Sequence, residues 1–174
     1  MALTGCAAIG IKDPKGAERK KLIVWVEIDR CMTDAISAVT GVRVGRRSLK
    51  VMDYGKVAAT FLNSETGQAV RIVARDESRA LADKLHPEVE SKKDRQMLTY
   101  REASTDQLFT IHEVKVELSK FDQPGKPISR VSCESCGEGI NDGREITRED
   151  GTVVCRPCTG VGYYQTNQDL TCAK

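Results

Sequence analysis

Residues 22–36 read LIVWVEIDRCMTDAI. The first seven, Leu22 to Ile28, form a nearly continuous apolar and β-branched run, the pattern of a strand buried on both faces. The chain then passes through Asp29-Arg30-Cys31-Met32-Thr33-Asp34-Ala35-Ile36 into a short helix that should end before Gly41. This places Cys31 at or near the helix N-terminus, where backbone N–H groups, the helix dipole and Arg30 all favour a thiolate. A buried structural cysteine fits the position equally well. Asp34 reads first as a first-turn carboxylate that stabilises the helix.

Upstream, MALTGCAAIG (1–10) looks like the tail of a helix stopped at Gly10, opening on its apolar face as if cut off. A polar loop follows, with turn signals at Asp13-Pro14 and Gly16. Downstream, Ser48–Asp53 and Val57–Phe61 read as strands around Tyr54-Gly55-Lys56. A turn at Glu65-Thr66-Gly67 leads to a third strand, Ala69–Ala74, and the three suggest an antiparallel meander. Lys56, after a glycine at a strand junction, is a candidate anion binder, although a solvated lysine is commoner. Two helices are expected, Asp76–Leu85 and Glu88–Arg101, the second with Val89, Met97 and Leu98 on its apolar side. A turn over Ser104–Leu108 then leads into a long strand, Phe109–Leu118, whose imperfect alternation suggests a bulge.

After a linker at 123–130, marked by Pro124-Gly125 and Pro127, come Cys133 and Cys136, then eighteen residues, then Cys155 and Cys158. Two Cys-x2-Cys knuckles at this spacing supply four thiolates to one tetrahedral metal, most simply a structural zinc with no open coordination position. The same ligands could hold a rubredoxin-like iron, or act as redox-active dithiols. Glu149-Asp150-Gly151 marks a hairpin turn between Ile146-Thr147 and Thr152–Val154. The order knuckle, hairpin, knuckle is that of a treble-clef or ribbon lobe spanning 131–174.

Seven cysteines in 174 residues do not read as a disulfide framework. The count is odd, two pairs have metal-ligand spacing, and no export signal or membrane-length apolar run is visible, so a reducing cytoplasm is expected. The net charge of +2, from 27 basic and 25 acidic side chains, lacks the basic excess of a protein that lives by phosphate contacts. Local basic runs remain at Arg19-Lys20-Lys21 and Arg46-Arg47, and Lys92-Lys93-Asp94-Arg95 reads as an exposed face. Nucleic-acid binding by the lobe is therefore possible but not favoured. Its Arg144, Arg148 and Arg156, with Lys174, are offset by Glu134, Glu138, Asp142, Glu145, Glu149 and Asp150, and Tyr163-Tyr164 offers little stacking platform.

Several of these segments together resemble the family formed by the E subunit of formylmethanofuran dehydrogenase and its bacterial relatives. The resemblance rests on Asp29-x-Cys31-x-x-Asp34-Ala35-Ile36, Thr40-Gly41, Asp53-Tyr54-Gly55-Lys56 with Ala58-Ala59-Thr60-Phe61, Thr66-Gly67 with Val70-Arg71, and the Cys-x2-Cys tail. It implies an α+β core with a C-terminal zinc lobe, a homodimer, and possible association with other subunits of a formylmethanofuran dehydrogenase-like complex. In that enzyme CO₂ is reduced with methanofuran, a step of one-carbon metabolism, at a tungsten or molybdenum pterin centre held by other subunits. Two departures stand out. The family's usual His-Gly-His-x-Cys-Pro-Gly motif is missing ahead of the first helix, and Val42 stands where relatives commonly carry a cysteine. The resemblance thus implies a second, core metal or thiol site in relatives. Here it would keep Cys31, with Asp29 or Asp34 close by and Lys56 as a further member, and would be weak or empty unless a partner completes it. His86, before Pro87, reads as a cap, and His112 as a mid-strand residue, rather than as ligands.

The expectation is a mixed, largely antiparallel α+β core over 1–122, carrying a treble-clef- or ribbon-like zinc lobe. It would hold one structural Zn²⁺ per chain on Cys133, Cys136, Cys155 and Cys158, with Cys31, Asp34 and Lys56 as catalytic candidates and no membrane association. An accessory role is favoured over redox catalysis. The alternatives are a nucleic-acid-binding or regulatory zinc ribbon, and an enzyme that uses Cys31 as nucleophile or metal ligand.

Overall fold

A computed structural model of the chain describes residues 1–164, and Cys172 and Lys174 lie outside them. The chain divides into two compact units, Met1–Leu118 and a second beginning at Ser119. The first is α+β. Its five-stranded sheet has the order β2-β1-β3-β4-β5, with β1 Leu22–Val26, β2 Leu49–Val51, β3 Ala58–Asn63, β4 Ala69–Ala74 and β5 Phe109–Glu113. Every pairing is antiparallel except β1 with β2.

The apolar run at 22–26 forms β1, which lies inside the sheet and packs on both faces. Leu22, Val24 and Val26 join Phe61, Val70 and Ile72 beneath two helices, α1 Ala2–Ala8 and α2 Cys31–Thr40. On the other face Ile23 meets Leu62 and Ala69 under Val114, Val116 and Leu118. A strand enclosed in this way has no solvent side and needs no polar alternation.

The expected meander is corrected by this arrangement. Segments 49–51 and 58–63 are not neighbours, because β1 lies between them. The cause is α2. A helix returns the chain to the end of the sheet where β1 began, so the next strand runs parallel to β1. The turn Asp53–Lys56 then crosses the far end of β1, with the Lys56 N–H donating to the Glu27 carbonyl at 3.0 Å, and the chain comes back as β3.

Three boundaries also move. The second charged helix, α4 Lys92–Glu102, starts later than expected because the Ser91 hydroxyl caps it by accepting from the Asp94 N–H. Its Met97 is exposed rather than apolar-side core, while Leu98 is half-buried. It pairs with α3, Glu77–Leu85. The expected turn at 104–108 is a one-turn helix, α5 Thr105–Leu108, with a Ser104/Gln107 capping box. Strand β5 stops at Glu113, and Val114, Val116 and Leu118 continue as irregular chain whose side chains cover Ile23.

Two local contacts hold the core in register. Gly5 of α1 lies against the fully buried Phe61 ring, and a Cβ added there would fall on the ring atoms. Glu27, at the end of β1 and only 6% exposed, accepts two hydrogen bonds from Arg71 of β4, at 2.6 Å from Nε and 2.7 Å from Nη2. The Arg71 guanidinium holds the Glu27 carboxyl below the usual carboxylate range against the opposing effect of burial.

Gly5→Ala is expected to destabilise the protein by about 1–3 kcal/mol despite alanine's better helix propensity, read by urea denaturation. Unchanged stability would show that α1 does not sit on Phe61. Arg71→Gln should cost about 2 kcal/mol at pH 7 by stranding a buried carboxylate. A carboxyl with a depressed folded pKa stabilises above its unfolded value, about 4.3, and loses that contribution as pH falls through the folded pKa. The gap between wild type and variant should therefore close in acid. A gap that stays constant from pH 7 to pH 3 would refute the pairing.

Candidate metal centre

The second unit contains two hairpins of short strands, β6 Arg130–Ser132 with β7 Gly139–Asn141, and β8 Ile146–Thr147 with β9 Val153–Val154. A 3₁₀ turn, Pro157–Thr159, follows. The first hairpin's turn is the Cys133-x2-Cys136 knuckle. It is closed by the Gly137 N–H donating to the Cys133 carbonyl at 2.8 Å. Gly137 has a left-handed φ of 76°, which a side chain would strain. The second knuckle opens on the 3₁₀ turn, where the Cys158 N–H donates to the Cys155 carbonyl at 3.1 Å. Cys133, Ile140 and Val154 form the unit's small core.

All four sulfurs lie within 4.8 Å of one another. The Cys136 and Cys155 sulfurs are 3.9 Å apart, far beyond the roughly 2.05 Å of a disulfide. Tetrahedral Zn–S bonds of about 2.3 Å place their sulfurs roughly 3.8 Å apart. The Cys136–Cys155 separation matches that value, and the four thiols are close enough to share one metal ion. Backbone N–H groups of Cys136 and Cys155 pull the Cys133 thiol down to about 6. At Cys136 the Glu138 N–H acts in the same direction, but it is outweighed by the neighbouring Cys133, by burial and by the other thiols, which push the group up to about 12. Four thiolates this close repel one another, and either protonation or a bound cation relieves that repulsion.

Two side chains that read in the sequence only as lobe charges hold the knuckles in place. Glu134 accepts the Val153 N–H through its carboxylate at 2.8 Å, and its own N–H donates to the Val153 carbonyl at 2.9 Å. Arg148 donates to the Cys158 carbonyl at 2.8 Å. Between 119 and 164 the unit carries six basic and seven acidic side chains, without the basic excess that phosphate contacts favour. Tyr163 and Tyr164 meet edge to face and do not form a pair of parallel stacking surfaces.

The candidate core residues are disposed differently. Cys31 is the first residue of α2 and is exposed, as are Asp29, Asp34 and Lys56. Among the described residues, the four thiols are the only group of three or more His, Cys, Asp or Glu side chains close enough to share an ion. The charge of Lys56 acts on Glu27. Asp34 faces a groove shared with Lys15 and Arg43. His86 is the C-cap residue of α3. It is buried, with its ring nitrogens 3.7 Å from Glu88 and 3.5 Å from Glu102, while His112 is exposed on β5. The Glu27–Arg71 pair was missed by sequence reasoning, although its signal was present: a lone charge in each of two otherwise apolar strands.

Thiol chemistry separates the two cysteines of the first unit. Burial, aided by the charge of Glu18, pushes the Cys6 thiol up to about 11. In the folded protein at pH 8, iodoacetamide should label Cys31 at least about a hundredfold faster than Cys6, as peptide mass mapping will show. Equal rates would contradict the packing of α1.

The model of the family described as "FmdE, Molybdenum formylmethanofuran dehydrogenase operon" matches residues 1–117. A solved structure of an FmdE-like protein of the tungsten formylmethanofuran dehydrogenase type, from Syntrophus aciditrophicus, superposes with a TM-score of 0.55. It is 23% identical and covers 87% of this chain and 77% of that one, a likeness of fold. A probable S-adenosyl-L-methionine-binding protein of Archaeoglobus fulgidus is 27% identical over 79 residues, 45% of this chain. The chain spans about a fifth of the length of that curated relative, 22%. With the family model covering the entire sheet and helices α1 to α5, the chain belongs to the FmdE family.

Proposed function

We propose that this protein is an accessory member of a formylmethanofuran dehydrogenase-like system, an FmdE core followed by a second unit, beginning at Ser119, that a single structural Zn²⁺ holds together. The observation that carries the metal assignment is the convergence of Cys133, Cys136, Cys155 and Cys158, whose sulfurs all lie within 4.8 Å of one another. Four thiolates saturate zinc and leave no position for substrate, so the ion would act as a staple. Cys133 would supply the buried ligand, Cys155 and Cys158 the half-buried ones and Cys136 the exposed one, with Glu134 and Arg148 fixing the knuckles that carry them. A core of three apolar residues and their neighbours is too small to order such a unit without help.

The accessory reading is supported by membership of a family described by a dehydrogenase operon. It is supported also by the separation of Lys56, whose charge acts on Glu27, from Cys31 and Asp34 in the first turn of α2. We place the protein in the cytoplasm, where thiols stay reduced, as a homodimer able to associate with the pterin-bearing subunits of such a complex. Its part in one-carbon metabolism would then be to support CO₂ reduction carried out elsewhere in the assembly.

Elemental analysis of the purified chain should find about one zinc per chain. Cys133→Ser or Cys155→Ser should abolish it and raise proteolysis beyond Ser119, while the 1–118 unit keeps its melting transition. Stoichiometric zinc retained by both variants, or iron in its place, would refute the metal assignment. For the accessory role, the chain is expected to co-elute in fixed ratio with co-expressed dehydrogenase subunits. Elution alone, together with unchanged activity of the complex in its absence, would refute that role.

A further inference from the structure

Between α2 and the loop that leads to β2 lies an open groove of about 690 Å³, lined by Lys15, Asp34, Arg43, Val44, Arg46 and Leu49 among others. We propose that this groove binds a small phosphate-bearing anion through Lys15, Arg43 and Arg46, a site independent of the four-thiol centre.

The groove brings together charges that are far apart in sequence. Arg43 and Arg46 bracket a 3₁₀ turn, Val44–Arg46, directly after α2. Lys15 arrives from the loop before β1 and lies over Gly41, with its Cγ 3.3 Å from where a Cβ on that glycine would sit. All three side chains are exposed, and among the described residues none has a hydrogen-bonding or ion-pair partner. Three cations face a single carboxylate, Asp34. Unsatisfied like charges held in one concavity repel one another, and an anion of two or more charges relieves that repulsion.

The backbone that carries them is tied down at several points. The buried Ser48 hydroxyl accepts from the Arg43 N–H at 3.1 Å. Val42 and Leu49 anchor the two ends of the loop in the core. Gly41 closes α2 in the left-handed region at φ 74°. Lys15's loop is held by Asp13, which accepts from the Gly16 and Ala17 N–H groups, and by Glu18, which accepts from the Lys12 and Asp13 N–H groups. A backbone held in this way leaves only the side chains to be ordered on binding, and the guanidinium fork matches phosphate oxygens two at a time.

The volume falls within the roughly 300–1,000 Å³ of small-molecule sites. A duplex would need a stripe of cations, whereas these are confined to one groove on a chain of net charge +2. A small ligand is therefore the better fit.

Calorimetric titration of the full chain with inorganic tripolyphosphate at low ionic strength should give saturable one-to-one binding that weakens with added salt. Arg43→Gln and Arg46→Gln should each weaken it roughly tenfold, and Lys15→Gln should weaken it less. Arg19→Gln and Lys20→Gln, a basic pair that does not line the groove, should leave it unchanged. Melting temperatures equal to wild type would confirm that the variants fold, and the bound zinc should be the same in all of them. Absence of saturable binding, an equal loss in the Arg19 and Lys20 variants, or binding of a duplex oligonucleotide in preference to tripolyphosphate would overturn the proposal.

Discussion

The double-sided burial of β1 is the constraint from which the first unit follows. A strand with no solvent face needs apolar cover above and below, and here the two covers have different origins. One is built from α1 and α2, seated on Val24, Val26 and Phe61. The other is made partly by the irregular chain at 114–118 packed over Ile23. Where that apolar cover gives out, the end of β1 carries Glu27, and the sheet provides Arg71 to pair with it. Replacing such a pair with apolar residues of equal volume is often neutral or stabilising. The geometry of this pair nevertheless ties β1 to β4 across the intervening β3, and so resists slippage of the sheet's register.

The second unit follows a different logic. Four two- and three-residue strands and a core of Cys133, Ile140 and Val154 bury too little to offset the entropy of ordering the chain. An ion held by the four thiols would supply the order that this core does not. The unit's backbone is prepared for that role. Glycine at 137 allows the tight first knuckle, and Glu134 and Arg148 stitch both knuckles to the second hairpin.

The helix α2 links the family's motif to the groove. Its first turn presents Cys31 and Asp34, and its left-handed end at Gly41 redirects the chain into the Arg43–Arg46 turn. Asp34 is thus associated in space with Lys15, Arg43 and Arg46 rather than with Lys56, whose charge falls on Glu27 instead. The likeness to the FmdE-like structure from Syntrophus aciditrophicus extends over 87% of the chain.

Local patterning made much of this architecture legible. The apolar run at 22–26, the stop at Gly41 and the Cys-x2-Cys spacings each follow from short-range chemistry: a strand without a solvent side, a left-handed helix end, a knuckle. These features were sufficient for an α+β core with a four-thiol lobe. Strand order was not legible, because no local signal says that β1 inserts between β2 and β3; the crossover through α2 decides it. Nor was the end of β5, where apolar residues at 114, 116 and 118 serve the core without pairing as a strand. The Glu27–Arg71 pair joins residues 44 apart, and the groove joins Lys15 to Arg43. Contacts of that range depend on how the sheet closes, so they belong to the tertiary structure, whereas the knuckles and caps are written in neighbouring residues.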